Sequence, residues 1–319
     1  MDLILRPENL AEALEFRSRT GAAPLAGGTD LMVRHRAKNG LPPTVPTPVL
    51  FVDALPELRR VRLDGDVLEI GASVPLAVIA DDPGERADWA ARESEGDSAL
   101  LAAALAEIPD VLRAASADLG APALRQRATL AGNLANASPA GDTVAALYAL
   151  DAELVLVNSH AERVVPLTDF IVGPGKTVLA DDELILAVRI PLGEGALAGG
   201  WNYWRKVGTR RANALTKVSL AAAAGITGGR IVTFSMAFGA VGPVIVRVPE
   251  AESAVIGLNP ADFDINRRSL LVQRLKDGIG PHINPIDDQR STAHYRKAVS
   301  LNLISEAVES LAQHLKEYL

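Results

Sequence analysis

Two glycine-rich segments in the first half of the chain carry residue types that bind anions. The first consists of Pro24, Leu25, Ala26, Gly27, Gly28, Thr29, Asp30 and Leu31. The second runs from Thr129 to Asp142 and begins with Thr129, Leu130, Ala131, Gly132 and Asn133. Glycine lets a backbone approach a ligand and adopt positive φ, and successive N–H groups in such a turn cradle anionic oxygens. Each segment therefore predicts a phosphate-binding loop, with a tight turn between a strand and a helix as the alternative.

Asp142, the last residue of the second segment, has two interpretations. It stands where a helix begins, so it is a candidate helix cap, and its carboxylate is equally suited to bind ligand hydroxyls. Neither segment contains G-x-G-x-x-G, so a nicotinamide site of the Rossmann type is not supported. Gly175, Lys176 and Thr177 copy the end of a P-loop, but Phe170 occupies the position that requires the first glycine, which disfavours a nucleoside triphosphatase.

A basic cluster follows three aromatic residues, Trp201, Tyr203 and Trp204, and consists of Arg205, Lys206, Arg210 and Arg211. Strand alternation places Trp201, Tyr203 and Arg205 on one face and Asn202, Trp204 and Lys206 on the other. An edge strand with a solvated basic end and a cation beside an anionic cofactor are both consistent with this pattern.

Composition excludes several kinds of chemistry. The chain has no cysteine, so it offers no thiolate ligands for zinc or for an iron–sulfur cluster and no cysteinyl flavin. Its histidines are scattered without metal-binding spacing, and we predict no metal site. A net charge of -7 disfavours nucleic acid as a partner. The amino terminus lacks the order of a secretory signal and no apolar run approaches the roughly 20 residues of a membrane span, so we expect a cytoplasmic protein.

The pattern of apolar residues predicts an α+β fold. We predict helices from Pro7 to Gly21, Leu100 to Ala115 and Asp142 to Leu150, and a long terminal helix from Tyr295. Strands are predicted at 49–52, 60–63, 67–72, 152–157, 183–190, 201–207, 218–224 and 230–238. Gly84 to Asp97 is polar and is predicted to be an exposed loop. The last third of the chain should therefore form an antiparallel sheet covered by helices.

Five segments together resemble the FAD-binding medium subunits of molybdenum hydroxylases such as xanthine and carbon monoxide dehydrogenases. They are AGGTDL from Ala26, TLAGNLANASPAGD from Thr129, GPGKT from Gly173, KVGTRRANALTKVSLAA from Lys206 and YRKAVSLNLI from Tyr295. They keep the family's order and extend over nearly the whole chain. The Thr129 segment is the most specific of them.

The resemblance implies a two-part FAD domain of the vanillyl-alcohol oxidase and p-cresol methylhydroxylase type, followed by a smaller carboxy-terminal domain of antiparallel sheet and helices. The expected divisions are 1–56, 57–175 and 176–319. Pro24 to Leu31 and Thr129 to Asn133 would line the FAD diphosphate, and Asp142 would bind sugar or ribityl hydroxyls. Leu186 and Lys206 would lie near the flavin. FAD would be bound non-covalently, and no residue here is expected to act as a conventional acid or base.

The resemblance also implies partner subunits. A small subunit would carry two [2Fe–2S] clusters and a large one the molybdopterin cofactor, assembled as a dimer of heterotrimers. This chain would relay electrons from the clusters through FAD to an acceptor such as NAD or oxygen. The organic substrate would be chosen by the large subunit. A self-contained FAD-dependent oxidoreductase is the alternative enzyme, and a nucleotide-binding scaffold is the non-catalytic alternative.

Three departures from the family pattern stand out. The missing cysteines argue against the branch that reduces 4-hydroxybenzoyl-CoA, whose members carry an extra cluster. Gln126 and Arg127 replace a frequent Arg-Asn pair before the second loop, and Gly84 to Asp97 resembles an insertion.

Overall fold

The computed structural model describes residues 4–36, 44–80, 89–90, 92, 98–197, 200–210 and 212–317. The chain forms two compact units, each built from three segments. The first unit comprises Met1–Ile108, Gly120–Ala137 and Glu153–Arg189, and the second comprises Pro109–Leu119, Ser138–Ala152 and Ile190–Leu319. The mixture of helix and sheet confirms the predicted α+β class.

A small parallel sheet lies at the start of the first unit. Its strands are β1 (Ile4–Leu5), β2 (Ala23–Leu25) and β3 (Val49–Phe51), in the order β1-β3-β2. The helix Leu10–Thr20 connects β1 to β2, capped by the Asn9 side chain and ended by Gly21 at φ 64°. This left-handed residue is the usual glycine stop of a helix, and it confirms the predicted end.

A five-stranded sheet forms the rest of the first unit's framework. Its strands are β4 (Val61–Asp64), β5 (Val67–Gly71), β6 (Glu153–Val157), β7 (Glu162–Pro166) and β10 (Leu184–Pro191), in the order β4-β5-β10-β6-β7. The register between β10 and β6 shifts at Leu186, whose carbonyl accepts the Ala72 N–H at 3.0 Å. The strands β8 (Ile171–Gly173) and β9 (Lys176–Thr177) form a hairpin that turns at Gly175. The Gly-Lys-Thr sequence is thus part of a hairpin.

Short helices complete the first unit. They are Leu31–Arg34, Leu76–Ile79, Ser98–Ala106, Pro122–Arg125, Leu130–Ala135 and Leu167–Phe170, with a 3-10 turn at Pro56–Leu58. The single helix predicted from Leu100 to Ala115 is wrong, because one helix ends at Ala106 and another begins after Pro109. Most of the predicted loop Gly84 to Asp97 lies outside the described residues. Within it Trp89 is helical and buried, which contradicts an exposed loop at that position.

The second unit is an antiparallel sheet with helices on both faces. Strands β11 (Trp201–Val207), β12 (Val218–Thr227) and β13 (Arg230–Gly239) pair in sequence order. Its helices are Asp110–Ala117, Asp142–Ala149, Pro249–Glu252, Ile265–Ile279 and Ala293–Glu317, with 3-10 turns at Pro260–Phe263 and Gly280–His282. Leu220 and Met236 share a core with Leu311 of the terminal helix, while Ser235 on the opposite face donates to the Ala149 carbonyl. Burial on both faces explains the nearly continuous apolar run of β12.

Among the helices of the described residues, none combines the length and the apolar character needed to cross a membrane.

Candidate functional site

The first glycine-rich segment leaves β2 and enters the helix Leu31–Arg34 through a turn with open donors. Gly28 adopts φ 72°, a conformation that glycine reaches without steric cost. Within the described part of the chain, the backbone N–H groups of Gly27, Gly28, Thr29 and Asp30 donate to no other atom. Four neighbouring unpaired donors of this kind form a nest suited to an anion.

The second glycine-rich segment has the opposite hydrogen-bonding state. It forms the helix Leu130–Ala135, whose cap Thr129 accepts the Gly132 N–H on its hydroxyl at 3.1 Å. The N–H groups of Leu130 and Ala131 donate to the carbonyls of Val74 and Ala72 at 3.3 and 3.4 Å, and Asn133 donates to Thr129 at 3.1 Å. Backbone donors that the sequence assigned to a ligand are therefore already used by the protein.

The two segments meet at Gly27. A Cβ built on Gly27 would lie 1.6 Å from the carbonyl oxygen of Arg127, which lies two residues before the start of the second segment. That oxygen belongs to the backbone and cannot rotate away, so only glycine fits. Arg34, at the end of the first segment's helix, donates to Asn136, at the end of the second segment's helix. The structure thus brings together the two segments that the sequence analysis singled out.

A cavity of about 110 Å³ lies beside this junction in the first unit. Pro24 and Ala26 line it from the first segment, and Thr129, Ala131 and Gly132 line it from the second. Its other lining residues are mostly apolar: Val52, Leu58, Ala72, Ser73, Ala135, Leu179, Leu184 and Ile185. Leu186 follows two of these in β10 and is half-buried, but it does not line the cavity.

In the second unit, Asp142 and Lys206 form a buried ion pair with each other. The Lys206 ammonium donates to the Asp142 carboxylate and, over 2.9 Å, to the Asp118 carbonyl. The Thr216 hydroxyl donates to the other Asp142 oxygen at 2.6 Å. The side chains of Asp142 and Lys206 are each only 7% exposed, so both charges rely on this network rather than on water.

The network changes two sequence-based interpretations. Gly141, not Asp142, caps the helix Asp142–Ala149, and the Asp142 side chain makes no capping bond, so the cap interpretation is wrong. Lys206 is on an edge strand but is buried, so the solvated-end interpretation is wrong for it. Burial raises the pKa of Asp142, and the neighbouring Lys206 charge and hydrogen bonds oppose that rise.

The predicted alternation along β11 is confirmed by the partners of its side chains. Trp201 and Tyr203 stack at 5.9 Å, and both Tyr203 and Arg205 reach Glu306. On the other face, Trp204 donates to the Asp118 carboxylate at 2.9 Å. A cavity of about 230 Å³ in the second unit is lined by Asp118, Trp204, Arg205, Lys206, Gly208, Arg210 and Ala214. Arg211 of the predicted basic cluster lies outside the described residues.

Sequence reasoning missed two members of the Asp142 network. Thr216 lies inside the KVGTRRANALTKVSLAA segment, so the family motif contained it without assigning it a role. Asp118 contributes a backbone carbonyl to Lys206 and a carboxylate to Trp204. No local sequence pattern identifies Asp118 as a member of this network, because tertiary packing determines its position.

Two family models match the chain. The FAD binding domain in molybdopterin dehydrogenase matches residues 1–193, and the CO dehydrogenase flavoprotein C-terminal domain matches residues 203–311. The glyceraldehyde dehydrogenase medium chain of Sulfolobus acidocaldarius is 28% identical over 97% of this chain and 97% of its own length. The putative xanthine dehydrogenase FAD-binding subunit of Escherichia coli strain K12 is 24% identical over 98% of this chain and 97% of its own.

Solved structures share the fold. Carbon monoxide dehydrogenase from Oligotropha carboxidovorans superposes with a TM-score of 0.78 at 22% identity, covering 98% of this chain and 97% of that one. Quinoline 2-oxidoreductase from Pseudomonas putida 86 gives a TM-score of 0.77 at 21% identity, with coverage of 98% and 97%.

Proposed function

Because this chain belongs to the family of FAD-binding medium subunits of molybdenum hydroxylases, we propose that its first unit holds the FAD diphosphate on the backbone N–H groups of Gly27 to Asp30. The observation that carries this proposal is the set of four neighbouring donors without a partner in the described chain. A diphosphate supplies the anionic oxygens that such a turn needs. The residues present therefore fit the cofactor of the family.

The second segment has a different part in this proposal. Thr129 to Asn133 form one wall of the diphosphate site, and they hold the Arg127 carbonyl against Gly27. Their N–H groups are satisfied by Thr129, Val74 and Ala72, so they position the first segment instead of binding the anion strongly. Pro24 and Leu25 lie in β2, Ala26 directly follows that strand, and Leu31 begins the next helix, so these residues fix the two ends of the first segment.

The roles of Asp142, Lys206 and Leu186 rest on the family resemblance. Asp142 binds sugar or ribityl hydroxyls through lone pairs left free by Thr216 and Lys206, and Leu186 and Lys206 lie near the flavin ring. Since Lys206 is neutralised by Asp142, we propose that it acts mainly by orienting that carboxylate. The two residues then work as one unit rather than as separate ligands.

The chain is an oxidoreductase subunit, and its proposed task is electron relay. Bound FAD supplies the chemistry that accepts electrons one at a time and releases them in pairs. The chain has no cysteine, so thiolate ligands for the delivering [2Fe–2S] clusters must come from a partner subunit. The residues of this chain bind and orient the cofactor, and no proton-transfer residue is required of them.

The finer assignments are also proposals. A small iron–sulfur subunit and a large molybdopterin subunit would complete a heterotrimer that forms a dimer in the cytoplasm, with NAD or oxygen as the acceptor. The divisions 1–56, 57–175 and 176–319 describe the expected subdomains. Co-purification of the native complex, followed by mass measurement and an acceptor screen, tests the partners, the stoichiometry and the acceptor.

Reconstitution tests the function of the chain itself. The full chain should bind one FAD that acid or heat releases, because no covalent attachment is expected. Loaded with FAD, it should not oxidise a purine, an aldehyde or an N-heteroaromatic, whereas the intact complex should oxidise the substrate of its large subunit. Turnover by the isolated chain at the rate of the complex would replace the relay with a self-contained oxidoreductase.

A further inference from the structure

A second, larger cavity in the first unit is lined by arginines. Its volume is about 700 Å³, within the range typical of small-molecule sites. Four arginines and one aspartate line it: Arg59, Arg60, Arg62, Arg92 and Asp53. This concentration of positive charge contrasts with the chain's net charge of -7.

Not all of this charge is neutralised by neighbouring acids. Arg62 pairs with Glu69 at 2.9 Å, and Asp53 is paired with Arg127 at 3.2 Å. Within the described residues, neither Arg60 nor Arg92 has an ion-pair partner. Two guanidinium groups that line one cavity, and that have no acidic partner in the described part of the chain, are suited to phosphate, which they bind bidentately.

Trp89 gives an independent indication of a ligand. It is 1% exposed and lines the same cavity, yet its indole N–H has no hydrogen-bond partner among the residues that the structure describes. Burying a donor without an acceptor costs free energy, and such groups in native proteins commonly donate to a bound ligand or an ordered water. A ligand in this cavity should therefore offer an acceptor atom to the Trp89 N–H.

Apolar side chains form the remaining wall. Leu63 and Leu100 are 42% and 70% exposed, and they line the cavity together with the buried Val61 and Leu101. Exposed leucines beside arginines suit a ligand that has an apolar, flat body as well as an anionic group. A free inorganic anion would leave this wall uncovered.

We propose that this cavity, named here the arginine cleft, binds a nucleotide-sized organic phosphate in addition to the FAD of the family. The phosphate contacts Arg60 and Arg92, the body of the ligand covers Leu63 and Leu100, and Trp89 donates to a polar atom of that body. The proposal does not depend on the diphosphate site, because the residues of the two cavities are different.

Adenosine 5′-monophosphate is the probe, titrated calorimetrically into the full chain saturated with FAD so that the cofactor cannot compete. It should bind more tightly than adenosine or inorganic phosphate. The double variant Arg60→Gln/Arg92→Gln should bind it at least tenfold more weakly, and Trp89→Phe at least threefold. Arg19→Gln, an exposed helix arginine of the same unit, is the matched control and should bind as the wild type does.

Several results would overturn the proposal. If inorganic phosphate bound as tightly as the nucleotide, the apolar wall would contribute nothing to binding. If the double variant kept the wild-type affinity for the nucleotide, the two arginines would not bind its phosphate. Binding only to the FAD-free chain would assign the signal to the cofactor site. Each variant is first checked for FAD content, so that a fold defect is recognised, and the double arginine variant decides the outcome if Trp89→Phe does not fold.

Discussion

The two glycine-rich segments have similar sequences but opposite hydrogen-bonding states. Gly27 to Asp30 present backbone N–H groups without partners among the described residues, whereas the N–H groups of Leu130 to Asn133 all donate within the protein. The difference arises from the backbone conformation of each segment. The first segment turns through positive φ at Gly28, while the second enters a helix capped by Thr129. A glycine-rich sequence alone therefore does not identify which loop binds an anion.

The contrast predicts a division of labour. The segment with open donors should control affinity for FAD, and the segment with satisfied donors should control stability and the position of the first. The Asp142 and Lys206 pair resembles the second segment, because its charges are also satisfied within the protein. Substitutions that affect one property without the other would sharpen this distinction.

The largest effect on FAD binding is expected from Gly27→Ala, which breaks the junction between the two segments. The added Cβ would overlap the Arg127 carbonyl at 1.6 Å, so the backbone must move. We expect loss of FAD binding and a fall of about 3 kcal/mol in the free energy of unfolding, at the upper end of overpacking costs. Denaturant titration and FAD content measure the two effects. Gly65→Ala, at positive φ with open space around it, is the control and should keep its FAD.

Lys206→Met tests whether the buried ion pair between Asp142 and Lys206 stabilises the second unit. Removing the ammonium leaves the Asp142 carboxylate buried without its cation, which costs about 3 to 5 kcal/mol for buried pairs. Chemical unfolding of the FAD-free chain measures this cost. The double variant Asp142→Asn/Lys206→Met should recover more than half of the loss. If Lys206→Met were as stable as the wild type, the pair would not be a structural unit.

The same substitution, threonine to valine, can be made once in each glycine-rich segment. Its effects are expected to be smaller, but they compare the two segments directly. Thr129→Val removes the helix cap and should lower the free energy of unfolding by about 1 kcal/mol with little change in FAD affinity. The Thr29 hydroxyl is a side-chain donor next to the open backbone N–H groups, and we expect it to add one hydrogen bond to the diphosphate. Thr29→Val should therefore weaken FAD binding about threefold to tenfold, the value of one hydrogen bond, without affecting stability. Reversed effects in the two variants would contradict the division of labour.

Much of the framework could be predicted from sequence because it depends on local signals. The strand Trp201–Val207 was predicted at its observed bounds, and the Gly65 turn and the Gly21 helix end follow from glycine's conformational freedom. The break at Pro109 was missed because alanine-rich sequence extended the helical pattern across it. The helix Ile265–Ile279 was also missed, although the side chain of its cap Asp264 accepts two backbone N–H groups.

The candidate site was predicted only in its parts. Motifs identified both glycine-rich segments, Asp142 and Lys206, but not that Asp142 and Lys206 bind each other or that Thr216 and Asp118 join them. Such contacts join residues far apart in the chain, and no local pattern encodes them. The hydrogen-bonding state of the two segments was hidden for the same reason, since the acceptors Val74 and Ala72 come from another part of the fold.

The most direct test of the central claim follows the amide groups of Gly27, Gly28 and Gly132. With ¹⁵N-glycine labelling of the full chain, hydrogen exchange is measured before and after saturation with FAD. The Gly27 and Gly28 amides should exchange fast without FAD and become protected when it binds, while Gly132 should be protected in both states. Protection of Gly132 that appears only with FAD, together with Gly27 and Gly28 amides that do not respond, would contradict the account.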